Sequence, residues 1–251
     1  MTYPLTMLGR WDEALSRFAE IPDEQLGTST QIISPLTAVL VIHLHRGRID
    51  QARELLARYE ELARSGDVQT EGCYHAGVAA VRLAEPNHRE ALMAAERAFA
   101  TRETLGIANQ NAKLGFLYSI EAALALDDKT KANELLQIVE TLPPGLRPPL
   151  LEAFAHRFRA HLAGDDPGAD RHFTAAAAQL RALELPFHLA VVQLEHGEWL
   201  TAQGRPDDAQ VFLTDARQTF DRLDAKPWLQ RVDVVQGGAP AESLPDRTPV
   251  S

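Results

Sequence analysis

The chain has 251 residues, 45% of them hydrophobic and only 6% aromatic, and it carries a formal net charge of −10. That is enough apolar material for a core, rich in Ala and Leu as helix packing requires. The acidic balance, with 21 Arg and 4 Lys, excludes a nucleic-acid surface, which needs a basic stripe to displace counterions. One cysteine, Cys73, cannot form an intrachain disulfide, no apolar run is long enough to span a membrane, and residues 1–10 lack the features of a signal peptide. The sequence therefore predicts a cytoplasmic chain in a reducing compartment.

A spacing recurs along the chain. A bend residue is followed five positions on by a small side chain and nine positions on by a second position of the same helix face. Gly9, Ala14 and Phe18 form the first set, and Gly47, Ala52 and Leu56 the second. Pro86, Ala91 and Ala95 follow, then Asp127, Ala132 and Leu136, then Gly164, Ala169 and Phe173, then Gly204, Ala209 and Leu213. The bends lie 38, 39, 41, 37 and 40 residues apart. Glycine suits the left-handed turn at a helix C-terminus. A small residue one turn into the next helix lets two backbones approach, where a larger one would overpack by about 1–3 kcal/mol. A period of this size marks a solenoid of paired helices. The predicted fold is all-α, a right-handed superhelical array of about six antiparallel hairpins.

In chain order, residues 2–8 are too short for a full first helix, and residues 11–20 read as a complete second one. Tyr3, Leu5, Met7 and Leu8 give this end an apolar edge where an array needs a polar cap, which implies a piece of something longer. Residues 22–30 read as a loop. The second hairpin spans 31–65, with Ser34 as N-cap, Pro35 at the first helical position and Asp50 capping the partner helix. His43 and His45, two apart, point to nearly opposite sides and are a poor metal pair. Cys73 reads as a small core residue.

The third hairpin spans 71–105, with Ala91, Ala94, Ala95 and Ala98 as a small-residue seam, and the fourth spans 108–140. Asn109 and Lys113 are candidate groove contacts there. Four prolines within residues 142–149 predict a stiff extended spacer. The fifth hairpin spans 150–183. Its first helix carries Glu152, His156 and Arg159 on one face, the most functional-looking polar stripe in the chain, able to sense pH or bind an anion. The sixth spans 186–223. Gly197 inside its first helix costs about 1 kcal/mol against Ala and implies a close neighbouring helix. Residues 227–236 read as a capping helix and residues 237–251 as a disordered tail. No nucleophile–base pair, cofactor motif or metal spacing emerges, so the sequence predicts a binding protein without catalytic, cofactor-binding or metal-ligating residues.

The bend–Ala–Leu triplet at Gly204, Ala209 and Leu213, with Gly197 before it and Ala216 after, resembles the tetratricopeptide (TPR) pattern at a longer period. Residues 3–235 are similar to the C-terminal TPR-like region of bacterial multidomain signalling proteins. Those proteins join an adenylate/guanylate cyclase domain and a regulatory STAND ATPase to helical repeats. The likeness rests on Gly9-Arg10-Trp11-Asp12-Glu13-Ala14-Leu15, on residues 142–149, on Leu194-Glu195-His196-Gly197-Glu198-Trp199-Leu200, and on Phe220-Asp221-Arg222-Leu223 leading to Pro227-Trp228. The phosphate-loop and cyclase motifs are missing, so the resemblance carries over no catalytic residue. It implies a non-catalytic scaffold whose inner face engages a protein, a peptide or the protein's own ATPase domain. The alternatives are a free-standing TPR adaptor and the repeat region of a LuxR-type ATP-binding transcriptional regulator.

Overall fold

The computed structural model describes residues 2–21 and 33–237. Every regular element among them is helical: α1 (Thr2–Met7), α2 (Trp11–Ala19), α3 (Ile33–His45), α4 (Ile49–Arg58), α5 (Val68–Ala84), α6 (His88–Ala100), α7 (Arg102–Leu105), α8 (Gln110–Ala125), α9 (Lys129–Glu140), α10 (Pro149–Ala163), α11 (Gly168–Ala182), α12 (Pro186–Ala202), α13 (Pro206–Arg222) and α14 (Lys226–Gln236). Short 3-10 turns at Glu60–Arg64 and Pro144–Leu146 complete the set. The expected loop over residues 22–30 and the expected tail beyond Gly237 lie outside the described residues.

The bends form where the repeat places them. Backbone φ is positive at Gly9, Gly47, Asp127, Gly164 and Gly204. Asp127 tolerates the left-handed region better than most residues with a Cβ. Glu184 and Asp224 turn the chain in the same way between α11 and α12 and between α13 and α14. Five residues after each bend, Ala14, Ala52, Ala91, Ala132, Ala169 and Ala209 are all 0% exposed. Each helix packs on its neighbours in the chain, α1 on α2, α5 on α6, α6 on α8, α10 on α11, α12 on α13 and α13 on α14.

Two glycines mark close approaches between paired helices. A Cβ on Gly115 of α8 would lie 2.3 Å from the Phe99 backbone N and 2.8 Å from the Ala98 carbonyl carbon of α6. A Cβ on Gly197 of α12 would lie 2.6 Å from Leu213 Cδ2 of α13. Leu213 is the ninth-position residue of the last triplet, so the glycine in α12 and the leucine in α13 are two halves of one contact.

Some helix ends differ from the expected ones. Asp50 is not a cap: α4 begins at Ile49 with Arg48 before it, and Asp50 sits in the first turn, where its charge favours the helix dipole. Helix α3 already includes Ile33, so Ser34 and Pro35 lie within its first turn. Helix α5 starts earlier than expected because Asp67 Oδ1 accepts from Thr70 N at 2.8 Å, a capping pattern the sequence carries. The proline stretch is not an extended spacer. It folds over a 3-10 turn because Arg147 reaches back, donating from Nε to Leu142 O at 2.7 Å and from Nη2 to Glu140 O at 2.5 Å.

The two ends of the chain also meet. A Cβ on Gly9 would lie 3.0 Å from Pro186 Cγ, and one on Gly47 3.3 Å from Pro227 Cγ. Buried Arg46 donates from Nε to Leu223 O at 3.0 Å, and its Nη2 lies 2.8 Å from Asp12 Oδ1. Arg48 and Asp224 add an ion pair at 3.5 Å. Trp11, Ala14 and Ile42 belong to the same apolar cluster as Phe187, Leu213, Phe220 and Val232. The first hairpins thus rest against the last, and helices from both ends enclose common space.

The backbone contact at Gly115 generates a prediction. Gly115→Ala forces α6 and α8 apart and lowers stability by about 1–3 kcal/mol, which thermal unfolding followed by circular dichroism reads as a fall of several degrees for a chain of this size. Gly145→Ala has open space around its Cβ and leaves the unfolding temperature in place.

Candidate functional site

The space between the two ends holds a cavity of about 100 Å³. A water molecule needs about 10–15 Å³ measured in the same way, so several would fit. Tyr3 and Met7 of α1, Trp11 of α2 and Ala38, Val41 and His45 of α3 form one side. Leu114, Leu117, Tyr118 and Glu121 of α8, Arg157 of α10, Phe187, His188 and Val191 of α12 and Trp228 of α14 form the other. Most of this wall is carbon. Helices α3, α8, α10 and α12, each the first helix of its hairpin, supply most of the lining.

An aromatic cluster closes one end. The His45 and Phe187 rings lie 4.1 Å apart, Trp11 and Phe187 5.2 Å, and Phe187 and Trp228 5.4 Å. These pairs join α2 and α3 to α12 and α14. Trp228 Nε1 donates to His45 Nδ1 at 3.3 Å, which puts the His45 proton on Nε2. Trp11 Nε1 donates to Thr6 O at 3.0 Å. Both indoles therefore have one polar anchor and an apolar body, the arrangement in which buried Trp is stable.

A buried ion network forms the floor. Arg157, only 6% exposed, grips Glu195 through Nε to Oε2 at 2.7 Å and Nη2 to Oε1 at 2.6 Å. Its Nη1 donates to Glu121 Oε1 at 2.8 Å. His161 Nε2 lies 3.0 Å from Glu195 Oε2. Burial alone would raise the Glu195 carboxyl, but Arg157 and His161 outweigh it and hold the carboxyl well below its usual range. Burial opposes the Arg157 charge too, and the two carboxylates more than offset that effect. Two chelating bonds plus a third partner satisfy the guanidinium, as a buried charge requires.

Thr6 and Thr37 of the wall are paired, donating to Thr2 O and Cys73 O. Neither the Tyr3 nor the Tyr118 hydroxyl hydrogen-bonds to a described residue, and neither nitrogen of His188 does. Burial raises the Tyr3 phenol to about 12 and pushes Tyr118 upward as well. Burial, assisted by Arg157, holds the His188 imidazole at about 3. Burial, assisted by His188, holds His45 at about 3. The phenols and imidazoles around the cavity are therefore neutral at physiological pH, offering hydrogen bonds without charge.

The expected polar stripe is found elsewhere. Glu152, His156 and Arg159 share a surface pocket with Glu140, Arg147 and His172. Arg159 is held there by a two-point contact with Glu140 at 2.7 and 2.6 Å and by Asn133 Oδ1 at 2.5 Å. His156 Nδ1 lies 3.1 Å from His172 Nδ1 of α11, a pairing that sequence spacing does not show. Asn109 is an N-cap, accepting from Asn111 N at 2.8 Å through Oδ1. Lys113 is half-buried on α8, and burial lowers its pKa. Neither lines the central cavity. Cys73 is 1% exposed, and burial lifts its thiol to about 11, which suits a core side chain and not a nucleophile. No group of three or more His, Cys, Asp or Glu side chains among the described residues is arranged to hold a metal.

Sequence reading missed the cavity, although its polar members leave a trace. Phe154, Arg157, Phe158 and His161 follow helical spacing, so the charge at Arg157 falls within an apolar stripe. Glu195 and His196 interrupt an equally apolar α12. The chain matches no family model, no curated protein and no solved structure.

The cavity histidines set an acid sensitivity. Their folded pKa of about 3 lies below the unfolded value of about 6.5. Below pH 6.5 the unfolded chain takes up protons that the folded one refuses. Stability is full above that pH and drains away as the pH falls toward 3. Between pH 7.5 and 5 each histidine removes about 2 kcal/mol. Urea unfolding of the wild type and of His188→Gln at both values should show the variant losing about 2 kcal/mol less.

Proposed function

We propose that the chain is a binding module of TPR-like, right-handed superhelical form. Its role is to regulate a STAND-type ATPase of a nucleotide-cyclase signalling protein, in the same polypeptide or a separate one, and it carries no catalytic group of its own. The observation that supports this is the contact between the first and last hairpins around a shared cavity. Such a contact has two arrangements available, joined and parted, and regulation by binding needs two states that a ligand or partner distinguishes. An extended peptide does not fit the inner space as it stands, since α1 and the end helices fill it. Partner proteins therefore meet the outer surfaces and edges of the hairpins, and the inner face reports on what occupies the cavity.

ATP turnover by the ATPase domain, alone and joined to this chain, tests the proposal, together with crosslinking between the two. Binding of the array should change turnover several-fold and give crosslinks to hairpin edges. Arg46→Ala removes the buried Arg46 contacts to Leu223 O and Asp12, weakens the joined state by about 1.5–3 kcal/mol, and should return turnover toward that of the free domain. Unchanged turnover with no crosslink would refute a regulatory role.

A further inference from the structure

We infer that the central cavity is a binding site for a small, uncharged, mainly apolar ring compound bearing one hydroxyl or amide group, and that this compound holds the two ends of the array together. The inference rests on the proposal above only in taking the chain to act by binding.

Three observations carry it. The first is shape and lining. A cavity of about 100 Å³ walled by Val41, Leu117, Val191 and five aromatic side chains has the apolar walls and few convergent polar groups of a ligand site. The second is available hydrogen bonding. Tyr118 is 6% exposed, and its hydroxyl, the Tyr3 hydroxyl and the His188 ring nitrogens make no hydrogen bond to a described residue. None of these atoms is fully enclosed by protein, so they are open to the cavity and can bond to what enters it. A hydroxyl or amide on the ligand both donates and accepts, which suits a phenol and a neutral imidazole together.

The third is charge. Arg157 is already shared between Glu195 and Glu121, so an anion entering the cavity would find no free cation. His45 and His188 stay neutral. A charged ligand would lose its hydration without a counter-charge and would bind poorly. An uncharged ring loses little and gains contact with the aromatic walls.

The position of the site gives it a consequence. Trp11 and His45 come from the first two hairpins, and Phe187 and Trp228 from the last hairpin and α14. A ligand between them touches both sides of the closing contact and binds the joined state better than the parted one. Differential affinity of this kind is the requirement for a ligand to shift an equilibrium.

The three tryptophans supply the test. Trp11 and Trp228 line the cavity, whereas Trp199 donates to Gly164 O at 2.7 Å outside it. The full chain, labelled with 15N, is titrated with phenol, a single ring that suits the small cavity and is neutral at pH 7, and with benzene as the comparison lacking a hydroxyl. The indole N–H signals of Trp11 and Trp228 should move saturably with a single affinity while that of Trp199 stays in place. Tyr118→Phe should weaken phenol about 2- to 12-fold and leave benzene unchanged. Val191→Phe should fill the cavity and abolish the shifts. The site falls if no saturable shift occurs, if Trp199 moves equally, or if folded Val191→Phe still binds. Should that variant fail to fold, Tyr118→Phe and the Trp199 comparison decide. Phenol that binds without altering ATP turnover leaves the site standing and removes its coupling to the ATPase. Turnover that responds to the array while phenol does not bind removes the site and keeps the regulatory role.

Discussion

Close approach of neighbouring helices through small side chains is the constraint on which this molecule depends. Six alanines at equivalent positions are wholly buried, and Gly115 lets the α8 backbone come within van der Waals contact of the α6 backbone. Contacts of this kind tolerate little added volume, because protein interiors are packed as densely as organic crystals. They fix which helix lies on which. They also decide where large side chains can go. Large side chains enter the seams only beside such small residues, as Leu213 does against Gly197, and others collect where several helices converge, as Phe154, Phe187 and Trp228 do.

The polar centre follows from the same geometry. Helices α8, α10 and α12 present Glu121, Arg157 and Glu195 to one another. Removing such charges from water costs several kcal/mol per ion, and their attraction repays this only with good hydrogen-bond geometry. Arg157 meets that condition with three bonds of 2.6–2.8 Å. A buried ion network adds little net stability over an apolar replacement. What it adds here is register, since the forked contact forms only when α10 and α12 face each other at the level of Glu195. The network also neutralises Arg157, the only Arg lining the cavity among the described residues.

The hairpins were legible because their determinants are local. A bend needs a residue that accepts positive φ, and a tight contact needs a small one. Both can be read at Gly9, Ala14, Gly204 and Ala209 without knowing what lies across from them. Asn109 also had a local signal, an Asn ahead of an apolar run, and its capping role follows from that position better than a groove contact does. The cavity was not legible, because it is assembled from residues far apart in the chain. His45 and Trp228 are 183 residues apart and share a hydrogen bond. The stripe of Glu152, His156 and Arg159 was visible on α10, but its partners His172 and Glu140 come from α11 and α9. Hydrophobic period shows which face is buried and not what faces it. The proline stretch misled for a related reason: Pro limits the backbone, while the turn is set by the Arg147 side chain reaching back to two carbonyls.

The contact between the ends is of a strength that suits a switch. Its polar part, among the described residues, includes one buried arginine with two partners, the Trp228–His45 hydrogen bond and one exposed ion pair. Hydrogen bonds to charged groups contribute about 1.5–3 kcal/mol, and exposed pairs about 0–1 kcal/mol. The aromatic contacts add about 0.5–1.5 kcal/mol each beyond area burial. Against these stands the conformational freedom that the ends regain when they part. A ligand selective for the joined state, present at a hundred times its Kd, contributes about 2.7 kcal/mol, which is similar to the arginine's own share. On the proposed reading, occupancy of the cavity and integrity of the Arg46 contact are comparable influences on one equilibrium, and a ligand of ordinary affinity is enough to bias it.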